Sequence, residues 1–327
     1  MKRTLLYLFA SLLASLAILF VFDRLLQIGF NKSTEEVSGK MNLLLNDTSR
    51  YDMLCLGSSR ALAHLESNRI SQKTGMRVYN GGINGARVAS MKILFEGFLK
   101  SHPAPSVLVL HLDEFTLETE KMLEVPHYLP FLPNHQIKQE VFAIEPDLAY
   151  LQYVPFFRVF YYDDLKKWIA IKSLFELGNK GGEPEHGFSN LADSGWSAYW
   201  ESQYGNRLKV ISQPYDSIGN FDLGLSMLDS ILRLAKSHGV KVVFTSSPLL
   251  GGSNIPKYEA CVRAVESSCK RNGLDAMFFW MHRTEWDRKE YYYDLVHMVR
   301  KGARLYSDAL SDSICATFPA DCISPEK

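Results

Sequence analysis

The amino-acid sequence predicts an α/β fold: a three-layer sandwich with a central parallel sheet, an N-terminal transmembrane helix and an aromatic-rich insertion. Three observations carry this reading. From Tyr51 to about Phe115, short apolar runs alternate with stretches of helical spacing, and the alternation returns from about 221 to 280. The runs are apolar throughout, as in Val107-Leu108-Val109-Leu110, which marks strands buried on both faces of a parallel sheet. Before them, Thr4 to Phe22 carries no charge at all.

That uncharged run follows Lys2 and Arg3 and reaches roughly 28 Å as a helix, enough to cross a hydrocarbon core. The basic residues ahead of it keep the N-terminus in the cytoplasm and place everything after Asp23 outside. A cleaved signal peptide begins in the same way, but Ile18 to Phe22 is bulky and offers no small-residue cleavage pattern. The expected layout is therefore a signal anchor at 1–23 and a juxtamembrane helix at 24–50. A body at 51–312 and a short tail at 313–327 complete it.

Within the body, strands are expected at 52–56, 76–80, 106–111, 240–245 and 275–280. Helices are expected from Ser59 to about Lys73 and at 87–100, 221–237 and 256–271. The stretch at about 116–219 differs. It holds several prolines and dense aromatics, and reads as an insertion covering one end of the sheet. Its rings suit stacking on sugar faces, a small apolar core of its own, or contact with a bilayer interface. Trp196 and Trp200 are spaced for one helical face.

The charge balance narrows the function. The 327 residues include 36 Lys+Arg and 36 Asp+Glu, with no run of five like charges, so a nucleic-acid partner is not expected. Five cysteines occur without a CxxC, and the histidines show no zinc spacing, so neither a metal nor a cofactor is implied. Cys261 and Cys269 would stand about 12 Å apart along one helix, too far to bridge. Cys315 and Cys322, in an irregular tail, could bridge, and Cys55 should be buried and reduced.

Ligands of open parallel sheets bind beyond the carboxyl ends of the strands. Leu56-Gly57-Ser58-Ser59-Arg60 is one such end, where a serine hydroxyl stands clear of the sheet beside the N–H groups of a helix start. The plain alternative is that Ser58 or Ser59 merely caps that helix. Asp294-Leu295-Val296-His297 precedes the last helix. Three apart at an expected helix start, its carboxylate and imidazole can meet, and the carboxylate can fix the tautomer that a general base needs. Alone, such a pair is usually a surface contact; together with the early serine it outlines a triad.

With these blocks in place, the chain resembles the SGNH (GDSL-like) hydrolase superfamily. It is most similar to the membrane-anchored branch that includes the D-alanyl transfer protein of teichoic acid modification and the alginate O-acetylation proteins. The resemblance covers about 51–115 and 221–312 and implies an SGNH/flavodoxin-like sheet. It makes Ser59, third in Gly57-Ser58-Ser59, the nucleophile, with His297 and Asp294 completing the triad. The N–H groups of Ser59 and of Gly82, in Asn80-Gly81-Gly82, would form the oxyanion hole, helped by Asn80 or Asn84. The family's third block supplies an asparagine, but here the strand ends in His111-Leu112-Asp113. An anionic Asp113 would repel an oxyanion, unless His111 and Asp113 are structural.

The resemblance thus implies an extracytoplasmic serine esterase or O-acyltransferase in the cell envelope. Its partner would be an acylated glycan or other envelope polymer, with membrane acyltransferase components as further partners. Two other readings remain open. One is a catalytically silent scaffold or polymer-binding partner in an acylation complex. The other is a lipid or phosphoester hydrolase.

Overall fold

A computed structural model describes residues 2–118, 122–177, 185–190, 193, 201–202, 221–250, 255–280, 286 and 288–322. In chain order its elements begin with α1 (Lys2–Lys32), α2 (Glu36–Asn46), β1 (Met53–Leu56), α3 (Ser59–His64) and α4 (Ser67–Thr74). Next come β2 (Val78–Asn80), α5 (Val88–Ser101), β3 (Val107–His111), α6 (His135–Ile144) and α7 (Asp164–Leu174). The last are α8 (Asp222–Ser237), β4 (Lys241–Ser246), α9 (Ile255–Asn272), β5 (Met277–Trp280) and α10 (Arg300–Thr317).

By its contacts the chain divides into two compact units, Met1–Leu43 with Glu124–Glu183, and Leu44–Leu123 with Pro184–Lys327. The second holds the sheet. Its five strands run in the order β2-β1-β3-β4-β5, every adjacent pair parallel, as the uniformly apolar runs predict. Met53 of β1 registers with Val78 on one side and Val107 on the other. All residues of β1 and β3 are buried, so neither face can tolerate polar alternation. Truncating one of these side chains, as in Leu108→Ala, should cost about 2–5 kcal/mol. Helix α5 packs on α8 and α8 on α9, while α10 packs on α3 and α4.

Because all strands point one way, their carboxyl ends share an edge, and the order reverses between β1 and β3. That is a topological switch point, where such sheets open a crevice.

Three boundaries differ from expectation, two of them through partners distant in sequence. The helix expected from Ser59 to Lys73 breaks into α3 and α4. Asn80 Nδ2 donates to the carbonyls of Ala61 (2.7 Å) and Leu65 (2.8 Å), and the Glu66 N–H turns to Ser307 Oγ (2.9 Å). Those side chains take backbone groups that a continuous helix would use itself. At the other end, α10 runs to Thr317, so Cys315 lies in a helix and not in an irregular tail. It is bridged to Cys322, while Cys55, Cys261 and Cys269 are free and buried.

The third difference is in the first unit. Helix α1 is long and apolar enough to cross a membrane. It does not stop at Asp23 but continues to Lys32, with α2 beginning after a break. Asp23 is no terminal charge in water. It is buried and accepts two hydrogen bonds from Arg158, from Nε at 2.7 Å and Nη2 at 2.9 Å. The Phe30 and Tyr162 rings lie 4.9 Å apart, and Lys172 Nζ donates to Glu35 at 2.9 Å. Much of the expected insertion thus groups with the N-terminal helix. Trp196 and Trp200 lie outside the described residues.

Candidate active site

The chain leaves β1 through Gly57, where a Cβ would stand 2.6 Å from the Ala61 Cβ and 2.8 Å from the His111 Cβ. Only glycine permits that approach to the end of β3. Ser58 then takes extended backbone geometry and caps α3, its Oγ accepting from the Arg60 N–H at 3.2 Å. The next residue, Ser59, opens the helix, and its side chain is only partly buried. Adjacent serines therefore divide between the two readings the sequence leaves open: Ser58 is the cap, and Ser59 is not.

Ser59 Oγ lies 2.8 Å from His297 Nε2, and His297 Nδ1 lies 2.9 Å from Asp294 Oδ2. The Asp294–His297 segment is a tight loop before α10, not a helix start. Asp294 Oδ1 accepts from the N–H groups of Val296 (2.8 Å) and His297 (2.7 Å), and the Tyr293 N–H donates to the His297 carbonyl. The loop thus wraps around one carboxylate, which holds the imidazole by its far nitrogen. Burial on its own would raise the Asp294 carboxyl. Hydrogen bonds from His297 and from the loop's N–H groups outweigh it and hold the group below its ordinary value, so Asp294 is ionised at neutral pH. An anion at Nδ1 puts a proton there and leaves Nε2 free to accept one from Ser59, the arrangement a general base requires.

The expected oxyanion donors are placed differently. Both ends of the Asn80 amide serve the backbone: Nδ2 donates to Ala61 and Leu65, and Oδ1 accepts the Gly82 N–H at 2.9 Å. Gly82 itself is required by packing, since a Cβ there would stand 2.5 Å from the Leu62 nitrogen. Asn84 stands exposed on the following turn. Of the donors named from the sequence, the Ser59 N–H takes no partner among the described residues.

Asp113 does not confront the site as a free anion. Fully buried, it accepts from Arg60 Nη1 at 2.5 Å and from Ser58 Oγ. Arg60 Nη2 also donates to the Ser247 carbonyl, past the end of β4. Around Ser247 sit two buried histidines. Its N–H donates to His111 Nε2 at 3.0 Å, and its Oγ lies 2.5 Å from His64 Nδ1. His64 Nε2 in turn accepts the Met298 N–H at 2.8 Å. These acceptor roles put the proton of each ring on Nδ1. Burial pushes His64 well below the ordinary imidazole value, and the nearby Arg60 pushes it further down. Burial likewise pushes His111 to about 3, although Asp113 opposes the shift. Both rings are neutral. This polar layer joins the ends of β1, β3 and β4 to the residue after His297.

Of this layer, sequence reasoning picks out His111 and Asp113 as a strand-end pair and misses Arg60, His64 and Ser247. The available signal was modest: polar residues directly after the apolar runs of β1 and β4. Among the described residues no three His, Cys, Asp or Glu side chains gather as a metal site. No protein-family model matches this chain, and no curated protein does either.

Proposed function

We propose that the chain is an SGNH-type serine esterase or O-acyltransferase. We also take α1 as a single-pass anchor, with the N-terminus cytoplasmic and the body outside, acting on an acylated envelope glycan or similar polymer. The observation that carries the catalytic reading is the continuous chain from Ser59 Oγ through His297 to Asp294 at the switch-point edge of a parallel sheet. The two helix groups, α5-α8-α9 and α3-α4-α10, are what outer layers of a three-layer SGNH/flavodoxin-like sandwich would look like.

In this reading Ser59 Oγ attacks the ester carbonyl while His297 Nε2 takes its proton. The tetrahedral oxyanion sits by the Ser59 N–H. Collapse breaks the bond to the leaving alcohol, which receives the proton from His297. Water or a sugar hydroxyl then gives a proton to His297 and attacks the acyl-serine; collapse breaks the bond to Ser59 Oγ, which takes the proton back from His297. No step needs a metal or cofactor.

A serine-reactive fluorophosphonate should label the native protein and fail to label Ser59→Ala. Labelling that survives this change would remove the nucleophile from Ser59. A second reading rests on one specific observation: the Gly82 N–H is taken up by Asn80, and the third block offers no asparagine. Each missing oxyanion donor costs a factor on the order of 10²–10³, so a non-catalytic scaffold that binds the polymer through the same cleft fits that feature. Turnover of a simple acetyl ester, absent in Ser59→Ala, separates the two.

A further inference from the structure

We propose that the 3-10 segments Pro146–Gln152 and Pro155–Tyr161 form an aromatic collar that lies in the headgroup layer of a lipid bilayer, beside α1. The inference rests on the reading of α1 as a membrane anchor and goes beyond it, because a bare anchor leaves its neighbours in water.

The placement follows from two contacts. The uncharged run of α1 ends at Phe22, and the next residue, Asp23, is locked to Arg158 by two hydrogen bonds with both side chains buried. One turn earlier, the Phe20 ring meets Phe156 edge-on at 6.4 Å. The collar is thereby pinned along α1 where its apolar span gives way to charge. On the other side of that boundary the Arg24 guanidinium lies 5.0 Å from the Phe20 ring, a cation at the level of lipid phosphates.

The exposed surface has the matching chemistry. Tyr153 is 80% exposed and Phe160 71%, while Tyr150 and Tyr161 are more than a third exposed. From Phe20 the aromatic surface continues through Phe156 and Phe157 to Phe160, with ring centroids 5.1 and 5.8 Å apart along the last two steps. The Tyr150 and Tyr161 hydroxyls meet at 2.8 Å. Rings with an apolar body and a polar tip concentrate at the membrane interface, where both ends find their solvent. Continuity with the uncovered apolar face of α1 favours lipid over a protein partner.

The test uses the full chain in phosphatidylethanolamine/phosphatidylglycerol vesicles, spin-labelled singly through Tyr153→Cys, Phe160→Cys, Ala14→Cys or Arg263→Cys. All four sites are exposed, and the native free cysteines are buried. Each label's collision rate with oxygen is divided by that with a water-soluble nickel chelate. At positions 153 and 160 the ratio should exceed one, lying between a higher value at 14 and a value below one at 263. Ratios at 153 and 160 equal to that at 263 overturn the collar and leave its surface to a protein partner; a high value at 14 would keep the anchor intact. A low ratio at 14 removes the anchor. High ratios at 153 and 160 would then still place the collar in the bilayer, and low ones would remove both.

Discussion

Two sets of serine, histidine and aspartate gather at the same sheet edge, and they are alike in composition only. Ser59, His297 and Asp294 are joined by bonds of 2.8 and 2.9 Å, with the His297 and Asp294 side chains 20% and 19% exposed. Ser247, His111 and Asp113 are wholly enclosed. There the serine–histidine contact is 2.9 Å, but the histidine stands 3.9 Å from a carboxylate already claimed by Arg60 and Ser58. A nucleophile needs a reachable hydroxyl and a base held within hydrogen-bond distance of an orienting carboxylate. The exposed set meets both conditions. The enclosed set ties its polar groups largely to one another and to Arg60, leaving His111 Nδ1 without a hydrogen-bond partner among the described residues. Its serine is sealed from any substrate, so the set behaves as scaffold.

The comparison breaks first on turnover. Ser59→Ala and His297→Ala should each lower ester hydrolysis by about 10⁴-fold or more, with the double variant scarcely worse than either, because triad members act as a unit. Asp294→Asn should retain more activity. If Ser247→Ala abolished fluorophosphonate labelling while Ser59→Ala did not, the roles of the two sets would be reversed.

Stability separates them next. Asp113→Ala leaves Arg60 buried without its carboxylate and should cost about 3–5 kcal/mol in urea unfolding, whereas Asp294→Ala, partly exposed, should cost far less. Ser58→Ala removes both a cap and a donor to the Asp113 carboxylate, and a loss of about 1–3 kcal/mol is expected. An unchanged urea midpoint in Ser58→Ala would mean the cap and the bond to Asp113 contribute nothing.

The smallest effect per step is in pH. His64 and His111 stay neutral in the fold, below the ordinary imidazole value of 6.5. Below pH 6.5 the unfolded chain binds protons that the folded chain refuses. Stability is therefore full above that value and falls as pH drops, for His111 down to about 3. The slope should approach about 1.4 kcal/mol per pH unit for each histidine, and His111→Gln should flatten it by one group's share. Urea midpoints across that range measure it. A midpoint that did not move would mean the enclosed histidines titrate as if in water.

What could be read in advance follows the same division. The strands were legible because a run such as Val107-Leu108-Val109-Leu110 admits one environment, and Ser59 with His297 because each follows a local signature. Arg60 and Ser247 were not, since their contact joins residues 187 positions apart and neither carries a pattern. Asp23 misled for that reason too. A charge after an apolar run reads as the end of a helix, until Arg158, 135 residues on, neutralises it and the helix continues. Local periodicity speaks for elements; buried polar pairs speak only once the chain has closed.

Ser59 and His297, which meet at the sheet edge, are 238 residues apart in the chain. A ribosome working from the N-terminus releases Ser59 long before His297, and the imidazole arrives shortly before α10. Without His297 and Asp294 beside it, Ser59 is an ordinary alcohol. On the proposed reading timing serves as a safety catch: the growing chain would carry no armed serine past the machinery that makes it, and a product cut short before Asp294 should be inert.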